Sequence, residues 1–508
     1  MADRLFLSNH SDTIFSALKY ESKIEKNAWA RIAFALSLCK TGKEVNLSTD
    51  TSGESMRETS FFGEYELLIK SLIRMVYQRI DITEDEFFSS KSIIKNHIDN
   101  GSTLIEKLYL QNSKSVDNLL TVLAKEVNFG GRQEHYGQVF DLFLGKTVLN
   151  KKDLMMELNN NAIHPNSHLA IMGSPGVGKT QFLLKLLTDI RKGSSFQTNF
   201  IYFDYKGDVV DNDKFIELSK TQVFRILQDG QALPINPFVL PDYSEQSISL
   251  SAREKAESFS SINSQLGAVQ KGILTEVIKS AYEKRSDKEI RYPDFNEVYD
   301  LAVQSYQMNN KKDDTLIEVL RDLSDFNLFW SHSDDIPPID KLSNRTLLVD
   351  LHKMPVLKEL VVYLVIERLY KEMSVLPDSP IQNNRRTIRT ILVIDEAHNY
   401  LSQKNIFLQK IIREGRSKGV VVFFASQSPD DYQQDFFDFQ SLLEFAYIFQ
   451  SRSVSSAAIQ DILGCSAKTA RDLQVEISHL EPFQAICKGA DKKEEFVKFT
   501  AEAFYKAY

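Results

Sequence analysis

The chain has 508 residues, 43% of them hydrophobic and 26% charged, and a formal net charge of −8. That length exceeds what one hydrophobic core organises and predicts two or three domains, while no apolar run approaches the roughly 18 residues of a membrane span, so no membrane partner is expected. The acidic balance excludes nucleic-acid binding by bulk charge; any such binding needs a local basic patch or an enclosed channel.

Residues 1–127 read as an all-helical domain. MADRLFLSNHSD lacks the basic start and apolar core of an export signal, so a cytoplasmic protein is expected. Trp29, Ile32, Ala33 and Leu36 fall at the spacing of an amphipathic helix, and Tyr65, Leu68, Ile69 and Leu72 repeat it after Gly63. The polar stretch GKEVNLSTDTSGES between them predicts a loop. A third helical region is expected from about Phe87 to Glu126, broken near Asn100-Gly101. Cys39, on an apolar helix, reads as core, and with Cys465 and Cys487 it forms no metal pattern.

Gly130-Gly131 marks the expected linker, and from 128 to 508 the pattern changes to strands alternating with helices. HLAIMG, NFIYFDYKG, RTLLVDL, RTILVIDEA and GVVVFFASQ are short apolar runs bounded by turn residues. They predict an α/β domain with a doubly wound, largely parallel sheet covered on both faces. Long amphipathic stretches at about 246–335 predict a helical insertion.

GSPGVGKTQ, comprising Gly173, Ser174, Pro175, Gly176, Val177, Gly178, Lys179, Thr180 and Gln181, follows a strand and opens a helix, the context a phosphate-binding loop requires. Glycines let backbone N–H groups turn inward, the helix start adds positive potential, Lys179 reaches phosphate oxygens and the Thr180 hydroxyl ligates Mg²⁺. The expected cofactors are therefore ATP and Mg²⁺. In ILVIDEAH, Asp395 leaves a strand end where it can hold the metal, and Glu396 follows as general base for the attacking water. His398 is a weaker candidate for coupling. Gln427, at the end of GVVVFFASQ, is expected on the strand beside the one ending in Asp395, where its amide can sense the γ-phosphate. Arg413 and Arg416, on the segment leading into that strand, point away from their own phosphates, which suggests a neighbour's nucleotide as their target.

With these blocks in place, residues 128–508 resemble the HerA/FtsK class of ring-forming, DNA-pumping ATPases. The carriers are NSHLAIMGSPGVGKTQ, IYFDYKGD, INPF at 235–238, VIDEAHNY and REGRSKGVVVFFASQSP, in one order. The resemblance implies a RecA-like hexamer with ATP between subunits, Arg416, with Arg413 second, as the trans finger, and DNA in the pore. The barrel that usually precedes this ATPase is not expected here, since a helical domain stands in its place.

The N-terminal domain is similar to DndE, the small helical protein of DNA phosphorothioate modification, through LFLSNHSDTIFSALKYESKIEKNAWARIAFALSLCKTGKEVN, FFGEYELLIKSLIRMVYQ and HIDNGSTLIEKL. That resemblance implies oligomers and binding to duplex or nicked DNA, with Lys19, Lys23, Lys26, Arg31, Lys40, Lys43 and Arg57 as candidate phosphate contacts. Residues 1–79 nonetheless hold 11 Lys+Arg against 10 Asp+Glu, so no strong net field exists. Together the two halves suggest an ATP-driven DNA motor in phosphorothioate modification or linked anti-phage defence, with other proteins of such a system as partners. An ATP-gated scaffold that assembles modification or nuclease partners on DNA is the alternative, and a monomeric metabolic P-loop enzyme is a third reading.

Overall fold

The computed structural model describes residues 4–111, 116, 119, 120, 123, 138–225, 232–240, 242–263, 265–288, 290–334, 338–354, 357–489 and 496–508. The chain separates into two compact units, residues 1–133 and 134–508. The expected linker around Gly130-Gly131 lies outside the described residues.

In the first unit, Arg4–Phe6 pairs antiparallel with Ser55–Arg57, a short clasp that the all-helical expectation omitted. Helices α1 (Asn9–Ser22), α2 (Lys26–Thr41), α3 (Glu66–Tyr77) and α4 (Ile93–Gln111) supply most of the core. Ser8 caps α1 by accepting the Ser11 N–H, and Lys23 closes it in the left-handed conformation. Trp29, Ala33 and Leu36 are buried on α2 as the spacing predicts.

The other two expectations need correction. α4 runs through Asn100-Gly101 without a break. Gly101 serves packing instead: a Cβ there would lie 1.9 Å from the Ala33 carbonyl oxygen, so the missing side chain lets α2 and α4 touch. Tyr65, just before α3, and Leu68 on it are exposed, and the buried set on α3 is Ile69, Lys70 and Ile73. Lys70 is tolerated inside because Glu66 (2.6 Å) and Glu84 (2.5 Å) take its charge and the Phe62 and Phe87 rings flank it. Cys39 is exposed rather than core, because it falls on the solvent side of α2 near its end.

The second unit is built, among the described residues, on one eleven-stranded sheet. Its strands are β1 (Asp141–Thr147), β2 (Asp153–Glu157), β3 (Leu169–Met172), β4 (Asn199–Asp204), β5 (Gln222–Phe224), β6 (Leu347–Asp350), β7 (Thr390–Ile394), β8 (Val420–Ser426), β9 (Phe445–Phe449), β10 (Gln484–Lys488) and β11 (Phe496–Ala501). They lie in the order β2-β1-β11-β10-β9-β3-β8-β7-β4-β6-β5. β9 through β5 in that order are mutually parallel, and β10, β11, β1 and β2 extend the β9 edge antiparallel.

Side chains alternate between two cores, which is why the parallel strands read as continuous apolar runs. Leu169, Ile171, Tyr202, Val393 and Phe423 face α5 (Lys179–Gly193). Ala170, Met172, Phe203, Ile394 and Phe424 face the opposite layer, which holds α10 (Lys358–Ser374) and α11 (Ile406–Lys418). The helical insertion is present as α6 (Glu245–Ile262), α7 (Ala268–Lys284), α8 (Phe295–Met308) and α9 (Thr315–Asp325). It is tied to α10 by a buried charge cluster in which Glu367 accepts from Lys255 (2.9 Å) and Lys371 (2.7 Å). Both ammoniums hold the Glu367 carboxyl below its ordinary range although burial pushes it up. Removing one partner of such a cluster costs about 3–5 kcal/mol, because a buried charge is left uncompensated.

Candidate nucleotide site

The glycine-rich loop leaves β3 and enters α5 with Gly173, Gly176 and Gly178 all at positive φ, a path L side chains resist. Its lysine is buried and donates to the carbonyls of Gly173 (2.6 Å) and Ser174 (3.0 Å). Burial lowers the Lys179 pKa, and the charges it feels nearby belong to Glu396, Lys206, Asp395 and Asp431. Those four charged groups gather around the loop lysine.

Strand parity explains how they meet. Asp395 continues the count of Ile391 and Val393, and Gln427 that of Val421, Phe423 and Ala425, all of which face α5. Asp204 follows Phe200 and Tyr202 in the same way. β8 does lie beside β7, as the sequence suggests, and β4 flanks β7 on its other side. Asp395 accepts from Tyr202 Oη at 3.0 Å and from the Glu396 N–H at 2.9 Å. Burial first, and the adjoining Glu396 charge second, push its carboxyl up to about 6.

Glu396 itself holds φ at 49°, a left-handed conformation that costs a non-glycine residue on the order of 1–2 kcal/mol. Its carboxylate accepts from Gln427 Nε2 at 3.0 Å and is ion-paired with Lys206 Nζ. Burial pushes the Glu396 carboxyl up, but the Gln427 amide and the Lys206 charge outweigh it and leave it below its ordinary value. His398 Nδ1 lies 3.3 Å from Glu396 Oε2 without hydrogen-bond geometry. Gln427 is fixed from behind, since Asp431 Oδ2 accepts both its N–H (3.1 Å) and that of Ser428 (2.9 Å).

The segment IYFDYKGD earns a structural role that its use as a marker does not convey. Asp204 is fully buried and accepts the N–H groups of Lys206, Gly207, Val209 and Val210, which curls the loop so that Lys206 turns toward Glu396. The apolar strand ending in an acid followed by Lys-Gly was the available signal.

Arg413 and Arg416 lie apart from this cluster. Arg413 is exposed, with its guanidinium 4.8 Å from the Phe437 ring centroid. Arg416 is half-buried, its Nε has no hydrogen-bond partner, and its charge adds to burial in lowering the Arg386 pKa.

In the first unit, Lys19, Lys26 and Arg57 line one open groove of about 790 Å³ with Tyr20, Asn27 and Glu54. Lys19 is paired with Glu25 (2.5 Å), and Lys26 with Asp12 and Glu54 (both 2.7 Å). Arg31 donates to the Phe61 carbonyl at 3.2 Å and Lys23 to that of Tyr20 at 3.0 Å. Lys40, Lys43 and Arg57 are exposed.

The sheet order, the phosphate loop and the strand-end acids define a P-loop ATPase fold of the RecA-like kind. Within it, residues 144–373 match the family model "Helicase HerA, central domain", and residues 4–113 match "DNA sulphur modification protein DndE". The chain thus pairs a segment similar to DndE with one similar to the HerA central domain. It is 24% identical over 317 residues to the DNA import protein CedB of Sulfolobus acidocaldarius, a match spanning 59% of this chain and 46% of that protein. VirB4 of Thermoanaerobacter pseudethanolicus shares the fold over 72% of this chain and 98% of that one, with a TM-score of 0.52 and 15% identity. No helix among the described residues is long and apolar enough to cross a membrane.

Proposed function

We propose that the chain is an ATP-hydrolysing motor that assembles as a ring, in a hexamer, and acts on duplex or nicked DNA held through its DndE domain. The observation that carries the reading is Glu396, flanked by Gln427 and Lys206 at the carboxyl edge of the parallel strands, opposite Lys179.

The donors present fit Mg²⁺: the Thr180 hydroxyl and the Asp395 carboxylate are hard oxygen ligands. Among the described residues no group of three or more acids, histidines or cysteines forms a protein cage, so such an ion would be shared with phosphates and water. Held by these two residues, such an ion would supply neutralisation of charge on the transferred phosphoryl group. Lys179 moves from the Gly173 and Ser174 carbonyls to phosphate oxygens, and Glu396 accepts the proton of the attacking water. Gln427, hydrogen-bonded to Glu396, orients that water. Arg416 and Arg413 stabilise charge at the site of the adjoining copy.

The DndE match, and the name of the relative CedB, a DNA import protein, support DNA as what the motor works on. The DndE description further supports a place in DNA sulphur modification, and phosphorothioate-linked defence, partner proteins of that system and a cytoplasmic setting belong to the same proposal. Hydrolysis by the full chain, measured with and without duplex or nicked DNA, tests the reading. DNA is expected to stimulate turnover and Lys179→Ala to abolish it; hydrolysis indifferent to every form of DNA overturns the motor.

A further inference from the structure

The catalytic side chains all lie to one side of the phosphate loop. β8 and β7, which end in Gln427 and in Asp395-Glu396, flank β3 on one side; β9 and β10 flank it on the other. A triphosphate whose terminal group faces Glu396 therefore directs its nucleoside end toward β9 and β10.

What stands at that end is aromatic. Phe483, just before β10, donates its N–H to the Val177 carbonyl at 2.9 Å and holds φ at 65° to do so. A Cβ on Gly178 would fall 2.5 Å from the Phe483 ring, so the third loop glycine is what lets the ring lie against the loop. Tyr505, in the short helix α12 (Phe504–Ala507), packs edge-on to Phe483 with ring centroids 6.0 Å apart. Its N–H is held by Gln181 Oε1 at 3.2 Å, two residues past Lys179. Tyr505 is 56% exposed, and Lys506 Nζ stands 5.5 Å from the Phe483 ring centroid and 5.8 Å from that of Tyr505.

We propose that Phe483 and Tyr505 form the subsite for the purine base, Tyr505 stacking on its face and Phe483 fixing the floor between base and loop. Large, exposed aromatics cost solubility unless covered, and a flat heteroaromatic ring covers Tyr505 with dispersion and stacking worth about 1–3 kcal/mol per base. This inference rests on the nucleotide reading of the loop.

The test compares equilibrium binding of MgATP and of magnesium tripolyphosphate, which lacks base and sugar, to the full chain. Wild type should bind ATP more tightly than tripolyphosphate. Tyr505→Ala should weaken ATP roughly five- to a hundredfold and leave tripolyphosphate unchanged, whereas Tyr505→Phe should retain ATP. Being exposed, Tyr505 can be replaced without opening a core. Unchanged ATP affinity in Tyr505→Ala, or equal weakening of both ligands, overturns the base subsite while leaving phosphate binding intact. If instead Lys179→Ala weakens neither ligand, the nucleotide reading fails and the base subsite falls with it.

Discussion

Replacing Arg413 and Arg416 together with alanine separates a site completed by a neighbour from one complete within its own chain. Gly415 packs so closely on β8 that a Cβ there would meet the Val420 carbonyl oxygen at 2.5 Å, which sets Arg416 level with the amino end of that strand. Gln427 follows its carboxyl end, seven strand residues further on, a separation of roughly 20 Å. Even extended toward its own phosphates, a guanidinium starting from there stays about 10 Å or more away. At that range two unit charges in water interact by about 0.4 kcal/mol, and a Debye length of about 8 Å reduces this to about 0.1 kcal/mol. Acting in cis, the arginines would change the rate by less than about 1.5-fold. Supplied across a seam, such a group contributes about a thousandfold or more. Steady-state hydrolysis by the double variant should therefore fall by that larger factor. Thermal stability should fall by no more than about 1 kcal/mol, because Arg416 faces Arg386 with an unpartnered Nε and the exposed Arg413 gives up only its contact with the Phe437 ring. Mixing the double variant with Lys179→Ala chains, each inactive alone, should restore activity at about a quarter of the seams, where an intact loop meets intact arginines. Double-variant activity within twofold of wild type, or a mixture as inactive as its components, refutes the shared site.

Gly101→Ala should lower the melting temperature of the N-terminal unit, since the new Cβ lands 1.9 Å from the Ala33 carbonyl oxygen and forces α2 from α4 at a cost of about 1–3 kcal/mol. Gly272→Ala, in α7 with open space around it, should be neutral or stabilising by up to about 1 kcal/mol; equal effects at both positions would remove the packing explanation for Gly101. His168 provides the pH prediction. It is buried between Ile412 O (2.9 Å) and the Val422 N–H (3.0 Å), and burial pushes it down to about 4 from 6.5. The fold refuses a proton that the unfolded chain accepts, so stability is intact above about pH 6.5. It is lost as pH falls toward 4, by about 3 kcal/mol in all. Denaturant unfolding of the wild type across that window should show the loss, and His168→Gln should flatten it; an unchanged slope in the variant would rule His168 out. His97 has its pKa pushed down to about 4 by burial as well and adds a second such loss, in the N-terminal unit.

Parity makes the arrangement of the candidate site partly legible in the sequence. An acid or amide following an apolar strand inherits that strand's two-residue period, so Asp395 and Gln427 could be placed on the face of the phosphate-loop helix from sequence alone. The Lys206–Glu396 pair could not, because it depends on β4 lying beside β7, and that order comes from crossovers rather than from either strand. Similarly, β2, β1, β11 and β10 form the antiparallel edge; β1, β2 and β11 carry interrupted burial and β10 buries only three residues in a row, so they lack the longer apolar signal of the central strands. Gly101 shows a different limit: a glycine in a helical stretch is equally consistent with a break and with a close approach of two helices, and only the Ala33 backbone decides between them. The same dependence on distant chain explains Phe483. Nothing around it in sequence marks a ligand, yet the antiparallel return of β10 and β11 brings it against Gly178, the one loop position where a side chain would exclude it. The nucleotide loop is thus bounded on one side by charge drawn from parallel strand ends and on the other by aromatic rings from the antiparallel edge. Both Arg413 and Arg416 sit on the helix that descends to the opposite end of β8 from Gln427. For these two arginines, a second copy is the element that brings them to a terminal phosphate.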